Sequence, residues 1–511
     1  MRLGLALALW LALMPGGLRA ALPPDLEARA RAIAEEERAR AGTPAMSVAV
    51  FAADGEVVSF ALGRADVEAD VAATPETLFP AASVTKLVTA ALVLRAVERG
   101  ALSLDTPVNE ALPAERQVRD AEGAPAPVTL RMLLSHSSGL PVSWAGIQRD
   151  PDEPPLDFDE LLAHGLRTVR APGDKLIYAN GGFALAGWLA ARAEGVPFDV
   201  LAERALFAPL GMTHSTLAPP RDAGPRLAAA YGAGGPFGGR DRVPHQTVSG
   251  TAPAGALITT APDLARFGMA LLRGGELEGA RVLAPASVAE MMRMQARAHP
   301  RLPEGFGLGF GVRDVPGRKL VWWDGTLAGA ASRLALLPEH GVGVAILSNL
   351  ADNAPVSVAA RRILEALVPP PPREAAAPTP AELEALAGTY RLRDVVDPSE
   401  GYLEWFADLR LTPAEGALLL STPLSREPAR LVPAGDGLFV VEGSILDGSF
   451  ALVTPERAQI GFVVAERISV WRSGRALIVY VGIALLALLA ALLWLSLLWR
   501  RRRRSRSLAT T

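Results

Sequence analysis

Four consecutive prolines, Pro369–Pro372, followed by Ala375–Ala377, Pro378 and Pro380, divide this 511-residue chain. Proline fixes φ and lacks a backbone N–H, so such a run continues neither a helix nor a sheet and stands as a stiff extended linker over 369–380. Whatever precedes it must bury its apolar surface separately from whatever follows. The length is about three domains' worth. With 50% apolar residues, 21% charged residues and a formal charge of −3, the composition is that of a globular chain with a large core.

Before the linker, residues 21–368 alternate helical patterns with short apolar runs. Helices are predicted near Pro24–Ala41 and Val84–Arg99, and strands around Met46–Ala52, Val57–Leu62, Leu320–Trp323, Ser332–Leu337 and Val342–Ser348. Late strands meeting early ones across a helical middle imply an α+β fold, an antiparallel sheet with helices packed around it. After the linker, residues 381–470 carry short strand patterns separated by turn residues, which reads as a small all-β, barrel-like domain.

The two ends have their own signatures. Arg2, the apolar run Leu3–Met14 and the small residues up to Ala20 have the layout of a signal peptide over residues 1–20. Ala476–Trp499 contains no charge, is long enough to cross a bilayer as a helix, and runs into Arg500–Arg504. The expectation is a single-pass membrane protein with its body on the extracytoplasmic, periplasmic side and a basic cytoplasmic tail of residues 500–511.

Composition excludes several chemistries. Without cysteine there are no disulfides, thiolate metal sites or cysteine nucleophiles. The six histidines are scattered with no close ligand pair, so no metal and no other cofactor is expected. The only basic cluster is the C-terminal one, which argues against a nucleic-acid partner. Lysine occurs three times, as Lys86, Lys175 and Lys319, so a lysine inside a motif carries weight.

One such motif is Phe79-Pro-Ala-Ala-Ser83-Val-Thr-Lys86, which runs into an apolar helix closed by Gly100. Ser83 and Lys86, three apart, share a helix face. A serine hydroxyl needs an adjacent base to act as a nucleophile, and a desolvated lysine can be that base. A second motif, Tyr178-Ala-Asn180, follows the turn at Pro172-Gly173 and precedes a helix over Phe183–Arg192; a phenol and an amide two apart suit proton transfer and substrate orientation. The third, Trp323-Asp324-Gly325-Thr326, ends a strand in glycine, where backbone approaches a ligand closely and an N–H can join an oxyanion hole. Each motif alone also reads as a helix cap, a core aromatic or a strand end.

In this order, SxxK, Tyr-x-Asn and a strand-borne x-x-Gly, the sequence resembles the serine β-lactamase-like family. That group holds class C β-lactamases, D-alanyl-D-alanine carboxypeptidases and β-lactamase-fold carboxylesterases. Leu133-Leu-Ser-His136-Ser-Ser-Gly139-Leu-Pro141, Pro209-Leu-Gly-Met212, Pro253-Ala-Gly255 and Asp263-Leu-Ala-Arg-Phe267 match as well, and the likeness runs from Leu26 to Leu367. Leu386-Ala-Gly-Thr-Tyr390 opens a segment that looks like the small β domain appended to some members. The resemblance implies Ser83 as acylated nucleophile, Lys86 as base, Tyr178 as proton-transfer partner and Asn180 as substrate-orienting amide. It also implies an oxyanion hole from the backbone N–H groups of Ser83 and Thr326, and a structural part for His136.

The chain departs from the family at Trp323, where Lys or His is usual. The cation that would favour a substrate carboxylate is missing, and Asp324 is expected to set an acid beside the site. Arg318, Lys319 or Arg333 are the residues that could restore a cation. These readings imply a membrane-anchored serine hydrolase of the esterase type acting on a small-molecule ester, amide or peptide. Peptidoglycan or β-lactam hydrolysis and a non-catalytic envelope module are the alternatives.

Overall fold

A computed structural model describes residues 22–141, 166–218, 226–232, 240–246, 248, 250–371, 378–393, 408–422, 428–444, 446–461 and 463–469. The signal-peptide pattern, the apolar segment 476–499 and the arginine tail lie outside the described residues, as do residues 372–377 of the linker. Among the described residues no helix is long and apolar enough to cross a membrane.

The N-terminal helix α1 (Leu26–Ala41) ends at Gly42, whose φ of +57° takes the left-handed turn that closes it. It leads into the hairpin β1 (Ala45–Ala52) and β2 (Val57–Asp66), flanked by β3 (Val71–Ala72). Next come β4 (Phe79–Ala82) and α2 (Thr85–Glu98), then α3 (Leu130–Leu134) and α4 (Asn180–Glu194). The one-turn α5 (Ala252–Gly255), β5 (Leu257–Thr259) and α6 (Ala261–Leu272) follow. The chain then returns to the main sheet with β6 (Ala296–Arg297), β7 (Glu304–Phe306), β8 (Gly311–Arg313), β9 (Leu320–Leu327), β10 (Ala330–Leu337) and β11 (Val342–Ser348), before α7 (Asn353–Leu367).

The main sheet has nine strands in the order β6-β7-β8-β9-β10-β11-β1-β2-β3, and every pair is antiparallel. The expected meeting of late with early strands is the β1–β11 ladder, in register from Met46 opposite Ser348 to Ala52 opposite Val342. Both faces of the sheet are covered. Ala45, Ala49 and Phe51 of β1 join the core with α2, α4 and α6, whereas Met46, Val48 and Val50 join a second core with α1 and α7. Two-sided burial is why β1, β10 and β11 are buried at every position and read in sequence as apolar runs without alternation.

Beyond the linker, α8 (Pro380–Leu386) begins with a capping box between Thr379 and Glu382. Eight strands then form a closed barrel: β12 (Gly388–Arg393), β13 (Asp408–Ala414), β14 (Ala417–Ser421), β15 (Ala429–Gly435), β16 (Leu438–Glu442), β17 (Phe450–Val453), β18 (Arg457–Ile460) and β19 (Val463–Ile468). Closure pairs the first strand with the last, Thr389 opposite Ile468, and leaves no open sheet edge. The barrel-like expectation holds.

Candidate active site

The site starts from a strained turn. β4 pairs with β5 through a register shift between Pro80 and Ala82, and Ala82 has a φ of +49°, unusual for a residue with a side chain. This bend turns the chain from strand to helix at Ser83, which is half-buried at the foot of α2. Strain of this kind costs of order 1–3 kcal/mol and persists only where surrounding contacts hold it. Here Thr85 Oγ1 donates to the Ala82 carbonyl at 2.6 Å.

The structure brings four of the sequence-selected side chains into one hydrogen-bonded cluster. Lys86, fully buried, has its Nζ 3.0 Å from Ser83 Oγ, 2.8 Å from Asn180 Oδ1 and 2.7 Å from the Ala254 carbonyl. Tyr178 Oη lies 2.7 Å from Ser83 Oγ. Asn180 is the first residue of α4, not its cap; Ala179 takes the cap position and the helix starts three residues earlier than the pattern suggested. Its amide oxygen is taken by Lys86, which leaves the NH₂ for another partner.

Protonation states follow from burial. Desolvation holds the Lys86 amine well below the ordinary lysine range and pushes the Tyr178 phenol up, the hydrogen bond with Ser83 only partly opposing the latter. A neutral amine has two N–H groups and one lone pair. Ala254 O and Asn180 Oδ1 can only accept, so in the deprotonated amine they take the two N–H groups and the lone pair is left for the Ser83 hydroxyl, to which the protonated amine donates its third N–H. When the Ser83 hydroxyl donates to the amine, the protonated phenol of Tyr178 donates to Ser83 Oγ. With the amine deprotonated, the bond that Ser83 donates to Lys86 raises the nucleophilicity of Ser83 Oγ, and Tyr178 stands ready to exchange a proton with the same oxygen.

His136 holds Tyr178 in place. The histidine has a φ of +56°; its carbonyl accepts from Ile177 N–H at 2.8 Å and its Nδ1 from Ala179 N–H at 3.1 Å, one bond on each side of the tyrosine. The Nδ1 bond puts the ring proton on Nε2, and burial keeps the imidazole neutral. Its ring also packs on Tyr178, Phe183, Phe306 and Trp323 at centroid distances of 4.7–5.6 Å.

The third motif lies along β9. A Cβ built on Gly325 would sit 2.2 Å from the Ala81 carbonyl and 2.9 Å from the Ser83 backbone nitrogen, so only glycine lets this strand approach the serine so closely. Trp323 is 8% exposed and stacks on Tyr178 at 5.9 Å, on the same side of the strand as Gly325. Thr326 follows at an exposed position paired with Ala331.

One expectation about charge is overturned. Asp324 does not stand beside Ser83. Strand alternation turns it to the opposite face of the sheet, where its Oδ1 lies 2.8 Å from Nε of Arg333, the residue directly across on β10. Arg333 is buried in that pair and also donates to the Ser357 carbonyl of α7, so it supplies no cation to the serine. Arg318 reaches the Val368 carbonyl, and Lys319 lies just before β9, six residues from Gly325, roughly 20 Å for an extended chain. Arg333→Met should leave the Asp324 carboxylate buried without its partner and cost about 3 kcal/mol in urea unfolding. Serine reactivity, on the other face, should change by less than a few fold.

The backbone carbonyl of Ala254 is a part of the site that sequence reasoning missed. The flanking Pro253-Ala-Gly255 match marked the segment, but no side-chain pattern announces a carbonyl acceptor.

Residues 30–368 match the Beta-lactamase family. "Penicillin-binding protein 4" of Amycolatopsis lactamdurans is 31% identical over 369 residues, 68% of this chain and 93% of that protein. "Esterase EstB" of Burkholderia gladioli is 38% identical over 185 residues, 32% of this chain and 45% of its own length. The octameric penicillin-binding protein homologue from Pyrococcus abyssi shares the fold with a TM-score of 0.60 at 22% identity, over 86% of this chain and 99% of that one. With an SxxK serine and lysine in hydrogen-bond contact on this fold, and a family match that spans most of the chain, the protein belongs to the Beta-lactamase family and is a serine hydrolase.

Proposed function

We propose that the protein hydrolyses small neutral esters through an acyl-enzyme on Ser83. The observation that carries this reading is Trp323. At the strand position next to Tyr178 there is an apolar aromatic ring, and the three cations that could have compensated for it are paired, turned away or distant. Apolar rings of Trp323 and Tyr178 beside Ser83 favour an uncharged acyl or alkoxy group over a carboxylate.

In this mechanism Lys86 takes the Ser83 hydroxyl proton as Oγ attacks the ester carbonyl. The oxyanion of the tetrahedral intermediate is stabilised by the backbone N–H groups of Ser83 and Thr326, with Gly325 allowing the approach. The Asn180 NH₂ orients the acyl group. As the C–O bond breaks, Tyr178 protonates the leaving alkoxide and regains a proton from Lys86. Water then attacks the acyl-enzyme, giving a proton to the same amine, and Ser83 leaves as the restored hydroxyl, so one ester and one water yield one acid and one alcohol. The Burkholderia relative is named an esterase, which agrees with this reading.

A peptidase or β-lactam-directed activity is the second reading, favoured by likeness to a penicillin-binding protein over 93% of that protein's length. Intact-mass spectrometry of the full chain, after brief exposure to a chromogenic short-chain ester or to a penicillin, separates the two. Fast ester turnover through an adduct on Ser83, without a penicillin adduct, supports the esterase; a stable penicillin adduct overturns it. Trp323→Lys is expected to raise the rate of penicillin acylation at least tenfold by placing an ammonium where a substrate carboxylate would lie, and to lower ester kcat/KM.

We further propose that residues 1–20 direct export, that 476–499 anchor the chain in the cell membrane with the hydrolase on the periplasmic side, and that the arginine tail is cytoplasmic. Protease treatment of intact spheroplasts should remove the hydrolase domain and spare the tail. Protection of the hydrolase domain would reverse the orientation.

A further inference from the structure

The lone pair of Lys86 points at Ser83 only while both acceptors of its N–H groups stay in place. One of them, Ala254 O, belongs to α5, a single turn that cannot fix its own position. The contacts that hold it come from α2. Thr89 Oγ1 donates to the Pro253 carbonyl at 2.6 Å, and Thr85 Oγ1 accepts from Leu257 N–H at 2.9 Å. Thr85, Lys86 and Thr89 are all fully buried, and each grips a different residue of the 253–257 segment. On its other side Pro253 packs so tightly against Gly187 of α4 that a Cβ there would lie 2.4 Å from the proline Cβ.

We propose that Thr89 is a positioning residue for Lys86. Its hydroxyl fixes the Pro253 carbonyl and with it the next peptide, so that Ala254 O receives one N–H of the amine and the lone pair is left for Ser83. The proposal rests on the reading of Lys86 as the base. A valine at position 89 would fill the same space but hold nothing, leaving α5 to shift and one amine N–H without its acceptor. The titratable groups facing Lys86, among the described residues, are Tyr178, whose ring centroid is 4.8 Å from Nζ, and His136 from the end of α3. Burial keeps both uncharged. The α5 turn, Ala-Pro-Ala-Gly, contributes no titratable group.

The chain has only three lysines, so full-length protein labelled with ¹³Cε-lysine gives three resonances, and Lys86 is assigned by its loss in Lys86→Met. Thr89→Val is expected to move the Lys86 titration to lower pH, because the ammonium form loses a charge-assisted acceptor. The acid limb of the ester kcat profile should move the same way. Plateau kcat should fall about tenfold through a weaker and less well-aimed base, with KM nearly unchanged. Thr89→Ser, which restores the donor, should recover both the titration and the rate. A folded Thr89→Val whose Lys86 titrates as in the wild type overturns the proposal. If that variant does not fold, Thr89→Cys, of similar size with only a weak S–H donor, is judged by the same criterion. A shifted Lys86 titration with an unchanged rate would instead remove Lys86 from the base role while leaving Thr89 its hold on the lysine.

Discussion

Replacing Lys86 with methionine is expected to lower ester turnover by about 10²- to 10⁴-fold, the range that a positioned general base contributes, and to leave the fold as stable as before or more so. The two halves of this expectation have one cause. A fully buried amine, surrounded by Tyr178, Phe183 and backbone, has its proton affinity lowered by desolvation, the direction that lets a lysine act as a base toward a serine hydroxyl. Its folded pKa lies below the ordinary value of 10.5. Between the two values the unfolded chain binds more protons than the folded one, so this residue's contribution makes stability rise with pH across that window. The penalty is full below the folded pKa and gone above 10.5. Lys86→Met removes it, so thermal unfolding over a pH series should show the variant gaining most over the wild type in acid and converging with it toward alkaline pH. A variant that is instead least stable relative to the wild type in acid would mean that Lys86 is charged and paired in the folded state, and the base assignment would fall.

Much of this site is legible in the sequence. SxxK at the start of an apolar helix gave Ser83 and Lys86 their shared face, and the buried surroundings of that helix already argued for a desolvated amine. The β1–β11 pairing was legible because strands buried on both faces read as unbroken apolar runs. The direction of Asp324 was legible too and was misread: in a strand, a residue flanked by Trp323 and Gly325 on one face must point to the other. Alternation applied along Val321–Gly325 would have paired it with the far face of the sheet. What no pattern could supply was the backbone. Ala254 contributes a carbonyl, Ala82 a left-handed bend and Ala179 an N–H, and an alanine side chain carries no sign of any of these. Such groups are set by tertiary packing, here by threonine hydroxyls and by glycines that admit a close neighbour.

Gly325 is the sharpest instance of that dependence, and Gly325→Ala is expected to reduce kcat/KM by about 10²- to 10³-fold, the scale of losing one oxyanion donor. The added methyl cannot be accommodated locally. It would meet the Ala81 carbonyl at 2.2 Å and the Ser332 hydroxyl at 2.5 Å, and these two are themselves hydrogen-bonded at 2.7 Å across β4 and β10. Relief requires β9 to move away from β4, which separates the backbone of Gly325 and Thr326 from Ser83 N–H. Overpacking of this kind costs about 1–3 kcal/mol, so the protein should still fold. The rate loss should therefore exceed what any lowered stability explains. It should be matched by an equal loss of affinity for a phosphonate or boronate that mimics the tetrahedral intermediate, while KM for the ester changes little. A Gly325→Ala protein that binds the tetrahedral mimic as tightly as the wild type would remove β9 from the oxyanion site and leave Ser83 N–H without the partner assigned to it.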